Sequence, residues 1–360
     1  MSDTGGADKV FSNIRACLPA ADAVCLWDET DGDRRAPVTE TRLAQSWLRG
    51  RKNLALPAMP VAWKQVPLHG YDTVVALSHA FAHHLAARAA RSGRRAFSYV
   101  HTPARYIWAP DVDPRGRRPL ARIGAGPLRV LDRRGVEPRV SYAANSQYIQ
   151  RRIERCWGVE ATVIYPPVNV ERIASVKNWH HELDPAEDAV FHSLPTDGFI
   201  LGASRLVKYK RVDRAIELGD ALGLPVVIAG GGPAMSDLRT RATYAKVPVY
   251  FTGRVSDEML YALYQAASLF VFLGIEDFGI MPVESIAAGT PVLINAQGGA
   301  RESVLALGGG VEFDPKAGAG GLVEAAELAM ACDMAAARSR LDMFSVSTFQ
   351  NQILEWTGSH

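Results

Sequence analysis

Short apolar runs alternate with amphipathic helical stretches along nearly the whole chain, and this alternation constrains the fold more than any other feature. Apolar runs bounded by turn residues are typical of buried parallel strands, which need crossover helices between them. The pattern therefore predicts an α/β protein with two doubly wound parallel sheets. The predicted strands are Ala23–Trp27, Thr73–Leu77, Ala96–His101, Ser141–Ala144 and Thr162–Tyr165 in the first half, and Phe199–Ala203, Pro225–Ala229, Pro248–Thr252, Leu269–Leu273, Pro291–Asn295 and Gly310–Phe313 in the second.

The length of the chain predicts two domains, because 360 residues exceed what one compact core usually holds. Between Pro166 and Gly198 the sequence is rich in Pro, Asn, Asp and His and has no apolar period, as expected of a linker. We expect an N-terminal domain at 1–178, a linker at 179–197, a C-terminal domain at 198–344, and a final helix at 345–360 that joins the first domain.

Composition excludes several classes of protein. Forty Lys and Arg against 38 Asp and Glu give a net charge of +2, which argues against a nucleic-acid partner. The four cysteines are scattered without a CxxC pair or zinc spacing, which suits a reduced, cytoplasmic setting. The start shows no signal-peptide pattern, and no apolar run reaches the roughly 18 residues of a membrane span. We expect a cytoplasmic protein that is soluble or peripheral at the inner face of the plasma membrane.

The segment from Glu276 to Glu284 is the most informative stretch. Pro282 suits the first turn of a helix and Gly289 its end, which leaves the N–H groups near Gly279 unpaired at a helix N-terminus after a strand. Such an end binds anions, a phosphate above all. The carboxylates of Glu276 and Glu284 flank this end and could accept hydrogen bonds from the hydroxyl groups of a sugar or ribose. Taken alone, Glu276 could be an ordinary loop carboxylate and Glu284 a carboxylate that favours the first helical turn.

Basic residues follow the first strand of the second domain, in the run from Ser204 to Arg211. Arg205 offers a planar fork of donors and Lys210 a point charge, which together would neutralise a diphosphate. The glycine turn Gly230–Gly232, with Gly231 at its centre, could cradle phosphate or make a tight strand-to-helix connection. The Gln297-Gly298-Gly299 turn leaves the same alternatives open.

Three features of the first half carry functional hypotheses. His101 leaves a predicted strand and is a candidate proton carrier or hydroxyl ligand, whereas His79, His83 and His84 suit ordinary packing. The loop with Gly5 and Gly6 could bind a second anion or be a disordered terminus. The Arg-rich segment Arg115–Arg139 is either a solvated loop or a basic surface for an anionic acceptor or membrane headgroups.

Taken together, these residues resemble family 4 of the retaining glycosyltransferases, which have the GT-B fold. The resemblance covers nearly the whole chain from Gly5 onward, and the segment from His101 to Tyr106 resembles bacterial mannosyltransferases of polysaccharide assembly. Its most specific parts are Ser204–Asp213, the Glu276 and Glu284 pair with Phe278-Gly279-Ile280 between them, and Gly289-Thr-Pro-Val with Gly298-Gly299.

The resemblance implies two Rossmann-like domains that face an interdomain cleft, a nucleotide-sugar donor on the second, an acceptor on the first, and no cofactor or essential metal. It assigns Arg205 and Lys210 to the diphosphate, Glu284 to the ribose, Arg254 and Val255 to the base, Glu276 with the backbone of Phe278, Gly279 and Ile280 to the donor sugar, and His101 to the reacting sugar. Two departures stand out. Only four residues precede Gly5, so we expect the first strand of the N-terminal domain to be missing or replaced by another segment. Leu273-Gly274-Ile275 differs from the usual residues before the first Glu.

The resulting hypothesis is a retaining hexosyltransferase. It would use GDP-mannose, the first candidate, or a UDP-sugar, and a glycan, a lipid-linked saccharide or a small molecule as acceptor. The alternatives are a sugar-nucleotide epimerase on the same fold and a catalytically silent subunit that binds a nucleotide sugar or stabilises a partner. The Asp-x-Asp triplets at Asp31–Asp33 and Asp111–Asp113 do not directly follow predicted strands, so we do not expect a metal site there.

Overall fold

The computed structural model describes residues 6–29, 38–78, 81–109 and 119–358. The strands are β1 Val24–Cys25, β2 Thr39–Glu40, β3 Thr73–Ser78, β4 Arg95–Val100, β5 Ser141–Ala144, β6 Thr162–Val163, β7 Ile200–Ala203, β8 Val226–Ala229, β9 Val249–Gly253, β10 Leu269–Phe272, β11 Val292–Asn295 and β12 Gly310–Phe313. The α-helices are α1 Gly6–Cys17, α2 Lys52–Ala55, α3 Met59–Gln65, α4 His83–Arg91, α5 Arg105–Trp108, α6 Pro119–Arg134, α7 Gln147–Trp157, α8 Val170–Ser175, α9 Pro185–Phe191, α10 Asp213–Leu222, α11 Met235–Ala242, α12 Asp257–Ala266, α13 Ile280–Ala288, α14 Ala300–Leu307, α15 Gly318–Met330, α16 Met334–Arg338 and α17 Val346–Thr357.

All strand pairs of the described residues are parallel, and each of the eleven predicted strands overlaps an observed one. The α/β prediction is therefore confirmed. Strand β2 was not predicted, because its two residues are exposed and lack an apolar run. No helix of the described ranges is long and apolar enough to cross a membrane.

The chain divides into two compact units. The first comprises the chain up to Pro167 together with the C-terminal segment from Phe349, and the second spans Val168–Thr348. The first unit has a sheet of order β3-β4-β5-β6 and a separate β1-β2 pair. Helix α17 packs on this sheet: Phe349 and Ile353 join a core with Tyr99, and the Trp356 indole donates to Ser141 Oγ at 2.8 Å. The final helix thus buries its apolar residues against the first unit.

The second unit has a six-stranded sheet of order β12-β11-β10-β7-β8-β9. The chain builds β7, β8 and β9 toward one edge and then returns to place β10 on the other side of β7. The strand order therefore reverses between β7 and β10. In open α/β sheets, ligands bind beyond the carboxyl ends of the strands at this reversal.

The structure corrects the predicted linker at 179–197, which is folded into the second unit. Trp179 is buried, its backbone N–H donates to Gln265 Oε1 at 2.9 Å, and its indole donates to the Ile173 carbonyl at 3.1 Å. Asp184 caps helix α9 through the N–H groups of Ala186 and Glu187. The polar residues that indicated a linker are in part capping residues, and one buried indole fixes the segment.

The solvated-loop interpretation of Arg115–Arg139 is also corrected, because its described part contains the 16-residue helix α6. Arg129 donates through Nε to the Ile107 carbonyl at 2.9 Å, and the guanidinium groups of Arg129 and Arg133 lie 5.4 and 4.9 Å from the centre of the Trp108 ring. These two cations contact their own unit, which a count of charges along the sequence does not reveal.

Candidate active site

The loops that follow β7 and β10 lie at the point where the strand order of the second sheet reverses. The two strands pair directly, with Ile200 opposite Leu269 and Leu201 opposite Phe270. The first loop carries Arg205 and Lys210, and the second carries Glu276. Residues that lie far apart in the sequence therefore lie together beyond the carboxyl ends of two central strands.

The loop after β7 presents two cations in different environments. Arg205 is exposed, and its guanidinium donates to the Tyr209 hydroxyl at 2.8 Å. The Lys210 side chain is only 16% exposed, and its ammonium lies 5.7 Å from the centre of the Phe272 ring. The next residue, Arg211, has a φ of +55°, a left-handed conformation that costs a non-glycine residue about 1–2 kcal/mol. Such strained residues cluster at functional sites.

The loop after β10 ends at the N-terminus of α13, as predicted. Gly279 is the N-cap residue with a φ of +101°, no side chain caps the helix, and Gly289 ends it. The N–H groups of Ile280 and Met281 have no acceptor within the helix, because they belong to its first turn. A β-carbon at Gly279 would lie 2.7 Å from that of Ala300, so this position requires glycine. The arrangement can bind an anion.

Lys210 and Glu276 join the two loops in an ion pair between Nζ and Oε1. Each side chain is 16% exposed, so water screens the pair less than it would a surface pair. A cation that can bind phosphate and a carboxylate that can accept from sugar hydroxyls thus lie side by side. The structure brings these two predicted site residues together.

The two glycine turns lie against the backbone of these loops. A β-carbon at Gly298 would lie 2.8 Å from the Glu276 carbonyl oxygen, and the Gly299 N–H donates to that oxygen at 2.7 Å. A β-carbon at Gly230 would overlap the Ser204 carbonyl oxygen. Close approach of backbone is therefore one reason for these glycines, which favours the tight-connection interpretation at Gly230 and Gly298.

Gly231 and Arg254 lie together beyond the ends of β8 and β9. A β-carbon at Gly231 would lie 3.1 Å from the Arg254 Nε, and Arg254 itself is exposed. Val255 follows it and is half-buried. The Gly231 carbonyl accepts from the Leu206 N–H at 2.9 Å, which ties this turn to the loop of Arg205.

Glu284 is a buried carboxylate, 4% exposed, on helix α13. Burial, and secondarily the nearby Glu284 charge, raise the pKa values of the Tyr261 and Tyr264 hydroxyls on α12. The Phe278 ring is also buried, with its centre 5.6 Å from that of Phe344. A ligand at this loop could therefore contact the Phe278 backbone but not its ring.

In the first unit, His101 directly follows β4. Its backbone N–H donates to the Ser78 carbonyl at 2.9 Å, and its ring meets the buried Tyr99 ring edge-on, with centres 5.4 Å apart. Gly6 is exposed and begins α1, whereas Gly5 lies outside the described residues. His83 and His84 are buried, consistent with the packing role predicted for them.

Two residues of the site were not predicted from the sequence. Tyr209 accepts a hydrogen bond from the Arg205 guanidinium. The Asp277 carbonyl lies so close to Gly299 that a β-carbon there would overlap it. Only the Lys-Tyr-Lys sequence hinted at Tyr209.

Among the described ranges, no three His, Cys, Asp or Glu side chains gather as a metal site would require. Both Asp-x-Asp triplets lie outside those ranges.

Two family sequence models together match most of the chain. The model described as Glycosyltransferase Family 4 matches residues 4–172, and the model described as Glycosyl transferases group 1 matches residues 186–342. The chain belongs to the family 4 glycosyltransferases.

Several curated proteins similar to this glycosyltransferase are named mannosyltransferases. A GDP-mannose-dependent α-(1-6)-phosphatidylinositol monomannoside mannosyltransferase of Mycobacterium tuberculosis is 30% identical over 179 residues, 44% of each chain. The O-antigen chain mannosyltransferase C of Escherichia coli is 32% identical over 119 residues, 31% of this chain and 32% of the relative. The matches thus span less than half the length of these curated relatives.

Solved structures show that this glycosyltransferase has the GT-B fold. Sucrose-phosphate synthase of Thermosynechococcus elongatus aligns with a TM-score of 0.73 and 18% identity, over 98% of this chain and 92% of the other. An Anabaena protein solved with UDP and glucose aligns with a TM-score of 0.67 and 19% identity, over 100% of this chain and 98% of the other.

Proposed function

We propose that this family 4 glycosyltransferase moves a hexosyl group from a nucleoside-diphosphate sugar to an acceptor hydroxyl, with retention of anomeric configuration. The observation that carries the proposal is the meeting of Lys210 and Glu276 beside the uncapped N-terminus of α13. A cation, a carboxylate and free backbone donors at one strand reversal suit a phosphorylated sugar better than any other common ligand class.

Departure of the diphosphate builds negative charge and leaves an oxocarbenium-like sugar. Fixed donors aimed at that charge lower the barrier, because they need no reorganisation when it forms. Arg205, Lys210 and the first turn of α13 supply such donors. A bound diphosphate competes with Glu276 for the Lys210 ammonium, and this frees a carboxylate oxygen to accept from a sugar hydroxyl.

The remaining assignments follow the family resemblance and the positions of the side chains. Glu284 binds the ribose hydroxyls, and the pair of Gly231 and Arg254, with Val255, contacts the base. Glu276 and the backbone from Phe278 to Ile280 contact the donor sugar. His101 of the first unit contacts the reacting sugar.

The acceptor hydroxyl attacks from the face that the leaving group departs from, and a phosphate oxygen of that group takes its proton. This route needs no side-chain nucleophile and no metal, since the side-chain cations and helix N–H groups neutralise the diphosphate. Activity that persists in excess chelator supports this part of the proposal. Activity that is lost on chelation and regained with a divalent metal contradicts it.

GDP-mannose is the first donor to test, because the curated relatives include GDP-mannose-dependent enzymes. A UDP-sugar is the second, since the Anabaena structure holds UDP and glucose. The mycobacterial relative acts on a phosphatidylinositol mannoside and the E. coli relative on the O-antigen chain. We therefore propose a glycan or lipid-linked saccharide as acceptor, ahead of a small molecule.

For contact with a membrane, we propose the segment from Trp47 to Leu54 in place of the Arg-rich segment. Trp47 is 68% exposed, Leu54 is 59% exposed, and the Arg51 guanidinium lies 5.5 Å from the centre of the Trp47 ring. From residue 41 to residue 71 the sequence has five Lys or Arg and no Asp or Glu, and two of these cations, Arg49 and Lys52, pair with the carboxylates of Glu40 and Glu29. Exposed aromatic and aliphatic side chains among cations suit an anionic lipid surface. The proposed location is the inner face of the plasma membrane.

The deciding experiment incubates the purified chain with labelled GDP-mannose or UDP-glucose, with and without lipid-linked mannosides. Acceptor-dependent release of nucleoside diphosphate and a labelled product of retained configuration support the proposal. Donor binding without release, under any acceptor, favours a silent subunit. Interconversion of the donor sugar without acceptor favours an epimerase.

A further inference from the structure

Asp132 of α6 is a buried carboxylate that contacts the segment following β4. Asp132 is 1% exposed, and its Oδ2 accepts from the indole N–H groups of Trp108 at 2.7 Å and Trp157 at 2.6 Å. A buried carboxylate is costly unless its oxygens are hydrogen-bonded. Two indole donors at one oxygen satisfy that requirement.

His83 of α4 holds Asp132 from the other side. Its Nε2 lies 2.9 Å from the Asp132 carbonyl oxygen and 3.7 Å from Oδ1, and its Nδ1 lies 3.2 Å from Ser78 Oγ. The His83 ring also packs against Trp157, with centres 4.5 Å apart. Asp132 is therefore fixed by contacts with α4 and α7 as well as by its own helix.

The segment that Asp132 faces, residues 101–109, begins with His101 and includes Arg105. Side chains of α6 and α7 hold it at three points, spread along its length. The anchors are Arg152 Nη1 to Thr102 Oγ1 at 2.9 Å, Arg129 Nε to the Ile107 carbonyl at 2.9 Å, and Asp132 Oδ2 to the Trp108 indole at 2.7 Å. The Asp132 anchor joins a buried carboxylate to the segment through the Trp108 side chain.

We propose that Asp132 is a positioning residue for the transfer reaction, which acts through Trp108 to fix the segment that carries His101. This inference rests on the proposed function, in which His101 contacts the reacting sugar. A reacting group displaced by about 1 Å can cost on the order of 100-fold in rate. A fixed carboxylate that anchors the segment through a short, charge-assisted bond prevents such displacement.

Trp108 and Trp157 provide a matched pair of variants, because each donates one indole N–H to the same Asp132 oxygen. Trp108→Phe and Trp157→Phe each remove one of these donors and keep an aromatic ring. Only Trp108 belongs to the segment of His101. We expect Trp108→Phe to lower kcat about ten- to hundredfold with the donor KM unchanged. Trp157→Phe leaves the bond from Trp108 to Asp132 in place, so we expect it to lower kcat by a much smaller factor.

Hydrogen exchange of the amides from 101 to 109 gives a readout independent of activity. Trp108→Phe should speed exchange there much more than Trp157→Phe does, although we expect urea unfolding to show that both variants are destabilised. Equal effects of the two variants on kcat and on exchange overturn the proposal. A wild-type chain that turns over no nucleotide sugar contradicts the proposed function instead, and the exchange comparison still decides whether Asp132 positions the segment.

Discussion

Gly274 lies against the backbone of Lys210, so that a β-carbon at position 274 would be 3.0 Å from the Lys210 Cα. The two residues belong to the loops after β10 and β7, which converge where the strand order reverses. This contact gives a physical reason for glycine at a position where the sequence departs from the usual family pattern. It also makes the position of Lys210 sensitive to the side chain at 274.

Gly274→Ala should therefore displace Lys210 and lower turnover about tenfold, because catalytic cations act through fixed positions. Gly320→Ala is the matched control: no atom lies within 4 Å of its β-carbon position in helix α15. The control should keep full turnover and gain about 0.5–1 kcal/mol of unfolding free energy. Steady-state rates and urea unfolding of both variants test this, and unchanged turnover in Gly274→Ala would count against it.

Arg205→Ala and Lys210→Ala should each lower kcat by orders of magnitude. A preorganised donor to developing charge contributes on the order of 3 kcal/mol to the barrier. Lys208→Ala, in the same loop, should have little effect, because the Lys208 side chain is 84% exposed and pairs with Asp237 at 3.0 Å. Release of nucleoside diphosphate measures all three, and near-normal rates for the first two variants would refute their assignment.

Glu284→Gln should weaken binding of a nucleoside diphosphate about tenfold or more, since a hydrogen bond to a charged group contributes about 1.5–3 kcal/mol. Calorimetry with the ribonucleotide and its 2′,3′-dideoxy analogue separates the ribose contact from general damage. Wild type should prefer the ribonucleotide, and Glu284→Gln should lose most of that preference. An unchanged preference would show that a residue other than Glu284 contacts the ribose hydroxyls.

Acid should destabilise the first unit through His84. Burial lowers the pKa of this histidine from 6.5 to about 3, so the unfolded chain binds its proton more readily than the folded chain. The unfolding free energy is therefore unaffected by His84 above pH 6.5, and it decreases as the pH falls from about 6.5 toward 3, because the unfolded chain then takes up the proton first. Between pH 7 and pH 5 the loss is about 2 kcal/mol, at roughly 1.36 kcal/mol per pKa unit.

His84→Gln removes this titration without removing the polar side chain. The difference in unfolding free energy between the variant and wild type should shift by about 2 kcal/mol in favour of the variant from pH 7 to pH 5. Urea unfolding at the two pH values measures the shift. A constant difference would show that His84 does not titrate in this way.

Trp47→Ser should reduce binding to vesicles that contain anionic phosphatidylglycerol, because it removes an exposed indole from a cationic surface. Tyr244→Ser is the control, since Tyr244 is 83% exposed and belongs to the second unit. Co-sedimentation with vesicles compares the two variants with wild type. Equal loss in both, or no binding by wild type, would contradict the proposed membrane contact.

The sequence by itself determined the features that depend on near neighbours. Apolar runs between turn residues predicted eleven strands, and Pro282 with Gly289 predicted helix α13 and its uncapped start. These predictions succeed because strand burial and helix ends are set by residues only a few positions apart.

Only the tertiary structure decided which of these features meet. The order of the second sheet places β10 beside β7, which brings Lys210 to Glu276. Burial of Trp179 turns a predicted linker into part of the second unit, and Asp132 meets Trp108 and Trp157 through the packing of separate helices. Such contacts depend on which apolar faces bury one another across the chain, and no local pattern records that choice.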